Sequence, residues 1–304
     1  MAVGRIDERA REVAVVSFGH FERGLTSDEQ AWLACVTAMG GAGALAVEPL
    51  LGTAAGRRVL GRGGGGDTTI EVDRAAEEAM LAALDRTAPA AYSLVSEELG
   101  YVTTPDAGWW IAVDPVDGSL NAKRGLEPSC AALAVADRPT VGDVRVAHVR
   151  DYARGHVFSA VRGAGFISSR TELEWPSVGA PVEVVLLEAG RPDRHGFAYG
   201  DLAQVIRGQS GQELRVRQIG SLALCLCHLA SGVADVLLAP VPSRAVDVAG
   251  GLLMVRETGG GAASLDGSDL WTQPLDLERR APFVAWRRGL DGRDLVEAAR
   301  AVFY

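Results

Sequence analysis

Apolar positions recur every three to four residues over 5–18 and 27–50, the spacing of amphipathic helices, with Asp28 or Ser27 placed to cap the second. The same spacing over 74–86 (RAAEEAMLAALDR) predicts a further helix. Between these stretches lies GRGGGGD at 61–67. Glycine loses more backbone freedom on ordering than any other residue, so the run reads as a mobile loop. It matches G-x-G-x-x-G literally, but the following Asp67–Asp73 reads as extended, where a dinucleotide fingerprint requires a helix.

Short apolar runs mark strands at Tyr92–Val95, Trp109–Val113, Ser129–Ala136, Val144–Val149 and His156–Val161, with Arg162-Gly163-Ala164-Gly165 turning a hairpin. The first ends at Ser96-Glu97-Glu98 and the second at Asp114. Beyond Pro176 the pattern changes. A strand at Val182–Leu187 precedes helices near 198–208 and 219–233, a strand at Ala234–Leu238, and a helix from just after Asp247 to a stop at Gly259-Gly260. The change divides the chain into 1–66 (N-terminal helices and glycine loop), 67–175 and 176–304, an α/β (α+β) organisation.

The 304 residues are 48% hydrophobic, enough for a sizeable core. A net charge of -9 argues against duplex nucleic acid as a partner, since phosphate backbones need a basic footprint. It leaves room for a small phosphate ester, because bridging cations reverse the sign of a local field. Cys35, Cys130, Cys225 and Cys227 form no C-x-x-C pair, so reduced, buried thiols are expected. The first twenty residues carry charges throughout, unlike a signal peptide, and no 18-residue apolar run occurs. The expectation is a cytoplasmic chain with no membrane span.

Chemistry concentrates in Asp114-Pro115-Val116-Asp117-Gly118-Ser119. A buried strand delivers Asp114 to its end, Pro115 is expected to force a turn, and Gly118 permits a tight one. Two acids three residues apart across such a turn can share one spot with the Val116 carbonyl, an oxygen set suited to a hard cation. The Gly118 and Ser119 amides suit a phosphate oxygen if a helix starts there. Each piece also has an ordinary reading: an Asp-Gly turn at 117–118, a solvated face for Glu97-Glu98, and a helix N-cap for Asp247. Three acidic clusters, each where an apolar strand meets a turn or helix, make a common site the stronger reading. Without cations such a gathering would repel itself.

Glu97-Glu98, WIAVDPVDGSLN (110–121) and AVDVAGG (245–251) resemble, in order and spacing, the three motifs of the inositol monophosphatase and fructose-1,6-bisphosphatase superfamily. Asp67–Asp73, Arg162–Phe166 and Arg217-Gln-Ile-Gly220-Ser221 have counterparts there too, so the likeness covers roughly 67–260. The resemblance implies a layered α/β/α/β/α sandwich and two to three Mg²⁺ ions. Glu97, Asp114 and the Val116 carbonyl would hold one ion; Asp114, Asp117 and Asp247 a second; a third would sit near Glu97 and Asp73. Ser119 stands where the family has a threonine that works with the Asp73 position to orient and deprotonate the attacking water. Gly118 and Ser119 would bind phosphate through their amides, with Gly220 and Ser221 beside them, and 61–66 would be the family's mobile catalytic loop. Family members are commonly homodimers.

Departures narrow the substrate. Val246 replaces the tryptophan usual before the third-motif aspartate. Pro240 occupies the neighbourhood where inositol monophosphatases carry a ring-binding glutamate, which weakens the inositol assignment. Ser-Glu-Glu-Leu-Gly and Asp-Gly-Ser-x-Asn are more similar to archaeal-type members that accept both inositol phosphate and fructose bisphosphate. Arg244 is placed either to meet a second substrate anion or to lie on the surface. The expected function is Mg²⁺-dependent hydrolysis of a small phosphorylated sugar, cyclitol or nucleoside. The alternatives are a nucleotide phosphatase of the 3'-phosphoadenosine 5'-phosphate type, a biosynthetic-pathway phosphatase, and a catalytically weak member used for binding or assembly. The presence of every acidic and hydroxyl position of the metal site favours an enzyme.

Overall fold

The computed structural model describes residues 20–170, 176–177, 179–188 and 210–303, so the helices expected at 5–18 and 198–208 lie outside the described residues. Helix α1 runs over Ser27–Val47. Its cap is Thr26 rather than Ser27 or Asp28: the Thr26 hydroxyl accepts from the Glu29 amide at 3.3 Å, and Glu29 Oε2 accepts from the Thr26 amide at 2.9 Å. Helix α2 spans Glu71–Thr87. It starts before the expected position because Asp73 reaches back to accept from the Ile70 amide at 3.0 Å. The two helices close together at Gly43, where an added Cβ would stand 2.3 Å from the Met80 methyl.

The strands are β1 (Val59–Arg62), β2 (Thr68–Ile70), β3 (Tyr92–Ser96), β4 (Gly100–Val102), β5 (Trp109–Asp117), β6 (Cys130–Ala136), β7 (Val144–Asp151), β8 (Val157–Val161) and β9 (Gly165–Ser168). A second series comprises β10 (Val182–Leu187), β11 (Ser210–Arg217), β12 (Val236–Ala239), β13 (Gly261–Ser264) and β14 (Phe283–Trp286). Seven strands form one sheet in the order β4-β3-β5-β6-β7-β8-β9, and five form another in the order β11-β10-β12-β14-β13. Strands β1 and β2 make a separate hairpin with the glycine run at its tip. The remaining α-helices among the described residues are α3 (Ser119–Arg124), α4 (Leu222–Ala230), α5 (Ala245–Glu257) and α6 (Gly292–Phe303).

Both faces of each sheet are covered, which explains the nearly continuous apolar runs of β6 and β12. Helices α1 and α2 bury Trp32, Val36, Met39 and Met80 against Ile111, Leu133 and Val146 of the larger sheet. Helices α4 and α5 lie between the sheets, with Leu224, Leu226, Leu252 and Met254 packed among Ala132, Phe158, Leu237 and Phe283. Helix α6 covers the far face of the smaller sheet through Leu295 and Ala299. The result is five layers, α/β/α/β/α, as the resemblance implied. Helix α1 is the one described helix long and apolar enough to cross a membrane, and it is a core helix here, its Trp32 wholly buried. All four cysteines are free and buried.

Two buried polar contacts tie strands within each sheet. Arg287, 2% exposed, pairs through Nε with Asp235 and donates to the Ala180 carbonyl at 3.0 Å. Asp235 Oδ2 in turn accepts from the Glu183 and Val184 amides at 2.8 and 2.7 Å. Removing one partner of such a pair strands a charge in the interior. In the larger sheet His148 is buried, with Nδ1 2.9 Å from the Ser159 hydroxyl and Nε2 unpartnered. Burial, aided by Arg150, depresses its pKa to about 3.

Asp235→Ala is expected to lose about 3–5 kcal/mol of stability, read from the urea midpoint. An unfolded histidine titrates near 6.5, so the unfolded chain binds the extra proton first as pH falls. The contribution of neutral His148 is therefore whole above pH 6.5 and erodes toward pH 3. Relative to His148→Gln, the native chain should lose about 2 kcal/mol between pH 7.5 and 5, checked by paired denaturation curves.

Candidate metal centre

Register builds the acidic cluster. Parallel pairing sets Ser96 beside Val113, so Glu97 and Asp114 follow side by side, and the Glu97 amide donates to the Val113 carbonyl at 3.1 Å. Side chains alternate faces along a strand, so acids three apart should point to opposite sides. The chain does not turn at Pro115 as expected. Strand β5 continues to Asp117 and carries a bulge: Asp114 pairs with Ala132 but Asp117 with Cys130. The extra residue resets the alternation, so both acids can serve one site. The turn comes at Gly118, whose φ of 91° favours glycine and where a Cβ would meet the Gly220 and Pro128 carbonyls at 3.0 Å. Asp247 arrives from the other half of the fold. Helix α5 begins at Ala245, earlier than expected, so Asp247 sits in its first turn and accepts from the Arg244 amide at 3.3 Å.

Glu97, Asp114 and Asp247 each place a carboxylate oxygen within 4.8 Å of the others. Asp117 stands outside that tight group but beside it. Its Oδ2 is taken by the Ser221 hydroxyl at 2.6 Å and the Ala223 amide at 2.7 Å, so Ser221 reads directly onto a predicted metal ligand. Gly220 donates to Glu188 at 2.9 Å, and Ser119 Oγ donates to the Val116 carbonyl at 2.8 Å. Ser119 also lies against Asp73, whose Oδ2 holds the Ile70 amide while Oδ1 is buried without a partner.

Electrostatics is under tension throughout. Burial, then Glu97, Asp117 and Asp247, pushes Asp114 well above the carboxylate range. Burial and neighbouring acids raise Asp117 and Asp247 as well, against the donors from Ser221 and Arg244 respectively. Burial lifts Asp73 to about 7, with Glu98 and Glu97 adding to it. Oxygen donors of one sign, crowded and dry, with an orphaned carboxylate oxygen alongside, fit a hard divalent cation.

Several contacts around the site had no signal in local spacing. Glu98, expected as half of an acidic pair, is also lifted to about 7, chiefly by burial, and takes the Thr69 hydroxyl. Glu77 steadies the Glu97 loop by accepting from Ser96 Oγ and from the Leu99 amide at 2.8 Å. Asn121 pins the Gly118 turn to the Pro128 and Ile219 carbonyls at 2.8 and 2.7 Å. The glycine run is a hydrogen-bonded hairpin tip: the Gly64 and Gly65 amides donate to the Glu98 and Glu97 carbonyls, each at 2.7 Å. Only glycine fits at 64, where a Cβ would lie 2.4 Å from the Gly100 Cα. Arg244 is buried, its guanidinium donating to Glu97, Asp67 and the Gly65 carbonyl.

The family model "Inositol monophosphatase family" matches residues 32–301. A fructose-1,6-bisphosphatase/inositol-1-monophosphatase of Methanothermobacter thermautotrophicus is 29% identical over 259 residues, 79% of this chain and 86% of that protein. An inositol-1-monophosphatase of Aeropyrum pernix is 32% identical over 229 residues, 74% of this chain and 83% of that one. The solved inositol monophosphatase of Anabaena (Nostoc) sp. PCC 7120 superposes with a TM-score of 0.68 at 21% identity, over 90% of this chain and 96% of that one. With the family model spanning most of its length and its fold in those same five layers, this chain belongs to the inositol monophosphatase family.

Proposed function

We propose that this chain is a Mg²⁺-dependent phosphomonoesterase acting on a small phosphorylated sugar, cyclitol or nucleoside. The observation that carries the reading is the meeting of Glu97, Asp114 and Asp247, from a strand end, a bulge and a helix start, within 4.8 Å. Those three residues, with Asp117 and the Val116 carbonyl, would hold two or three ions. Bound there, magnesium supplies neutralising charge for the phosphoryl group and a water acidic enough to attack it.

The protein's own groups supply position and a proton acceptor. Asp73 Oδ1 is free of partners, which leaves it open to take a proton. Ser119 lies near Asp73 and donates to the Val116 carbonyl, so turning its hydroxyl toward the free Asp73 oxygen would let it relay that proton and align the attacking oxygen. Gly118 and Ser119 present the turn at which phosphate would sit, and Asn121 keeps that turn from drifting. Placing the reacting atoms in line is most of the catalytic task in phosphoryl transfer.

Phosphate release should be measured over inositol phosphates, fructose-1,6-bisphosphate and nucleotide phosphates. At least one ester should turn over with Mg²⁺ and none in EDTA; turnover that persists in EDTA contradicts the mechanism. Inactivity on all of them with metal bound would point to a binding role instead. Asp114→Asn should lower turnover by several orders of magnitude. It should leave the metal-depleted protein at least as stable in a melting curve, since one of the crowded charges is gone while an oxygen still accepts the Val116 amide.

A further inference from the structure

Arg244 is 3% exposed, and its guanidinium reaches partners on two other elements, the turn after β3 and the tip between β1 and β2. It precedes α5, three residues before Asp247, so it and that acid share one rigid support. One terminal nitrogen, Nη1, donates to Glu97. The other, Nη2, donates to the Gly65 carbonyl at 2.9 Å and to Asp67, a carboxylate also held by Arg279 at 2.8 Å. Glycine is what brings the tip so close: a Cβ at 65 would stand 3.2 Å from the guanidinium carbon.

We propose that Arg244 is a resident cation of the metal centre, competing with the divalent ion for Glu97 while strapping the 63–67 hairpin tip over the same carboxylate. This rests on the metal-centre reading above. A magnesium ion binds a carboxylate oxygen at about 2.1 Å and demands near-octahedral surroundings. A guanidinium already on that carboxylate must withdraw from it, or repel the ion from close range. The fork geometry permits withdrawal without letting go of the tip, because the contacts to Gly65 and Asp67 use the other nitrogen. The arrangement raises the magnesium concentration at which the site fills.

The sign of a mutation separates this role from mere support. Loss of a partner that only orients a ligand weakens metal binding, typically by about 10–100-fold. Loss of a competitor strengthens it. Mn²⁺ and Mg²⁺ binding should be measured by titration calorimetry on the full chain, Arg244→Gln and Arg244→Lys, with deuterium uptake followed over 59–70. Arg244→Gln should bind Mn²⁺ about tenfold tighter than the native chain. Arg244→Lys keeps the charge but not the fork, so it should stay within about threefold of native affinity. Exchange at 63–67 should quicken in both variants. Equal or weaker Mn²⁺ binding by Arg244→Gln, with the native chain binding normally, overturns the competition. Unchanged exchange at 63–67 overturns the strap. A native chain that takes up neither ion would instead refute the metal-centre reading, and this inference with it.

Discussion

Like-charge repulsion in a dry junction is the constraint on which this molecule turns. Asp73, Asp114, Asp117 and Asp247 are all buried or nearly so, and each is pushed toward its protonated form by burial and by its neighbours. A fold gains nothing by such a gathering unless a cation rewards it. The rest of the chain spends its rigidity on preventing escape. Strand pairing fixes Glu97 beside Asp114, the bulge brings Asp117 round, and a packed helix carries in Asp247.

The supporting contacts share a logic. Each acid has one oxygen or one flank committed to the protein: Asp73 to the Ile70 amide, Asp114 to the Val116 amide, Asp117 to Ser221 and Ala223, Asp247 to the Arg244 amide. These bonds fix orientation and leave the opposite oxygen for a ligand. Ser221 shows how the two halves meet, since it caps α4 and holds an acid of the larger sheet with the same hydroxyl.

Much of this was legible in the chain. Apolar runs located the strands, and Glu97, Asp114 and Asp247 stood out because each ended one or opened a helix. What local pattern misled on was the backbone at the chemistry. Pro115 suggested a turn, yet it sits inside a strand whose partner β6 imposes pairing on both sides of the bulge. The glycine run suggested a loose loop, yet its amides find carbonyls on the 97–98 segment. Arg244 lies in the interior rather than on the surface, and its partner Glu97 is 147 residues away, a distance no periodicity encodes. Local propensity reports what a segment prefers alone; closed networks depend on which strangers arrive.

The dispersal of the acidic groups along the chain bears on how the molecule comes into being. Glu97, Asp114 and Asp117 belong to the first sheet, whereas Asp247 rides a helix that must slot between both sheets. On the ribosome the first three are made long before the fourth. Until α5 and strand β14 have emerged, the nascent chain holds an unfinished nest of negative charge with no partner to close it. A polypeptide cut short before that helix would lack both Asp247 and the layer that lies between the two sheets.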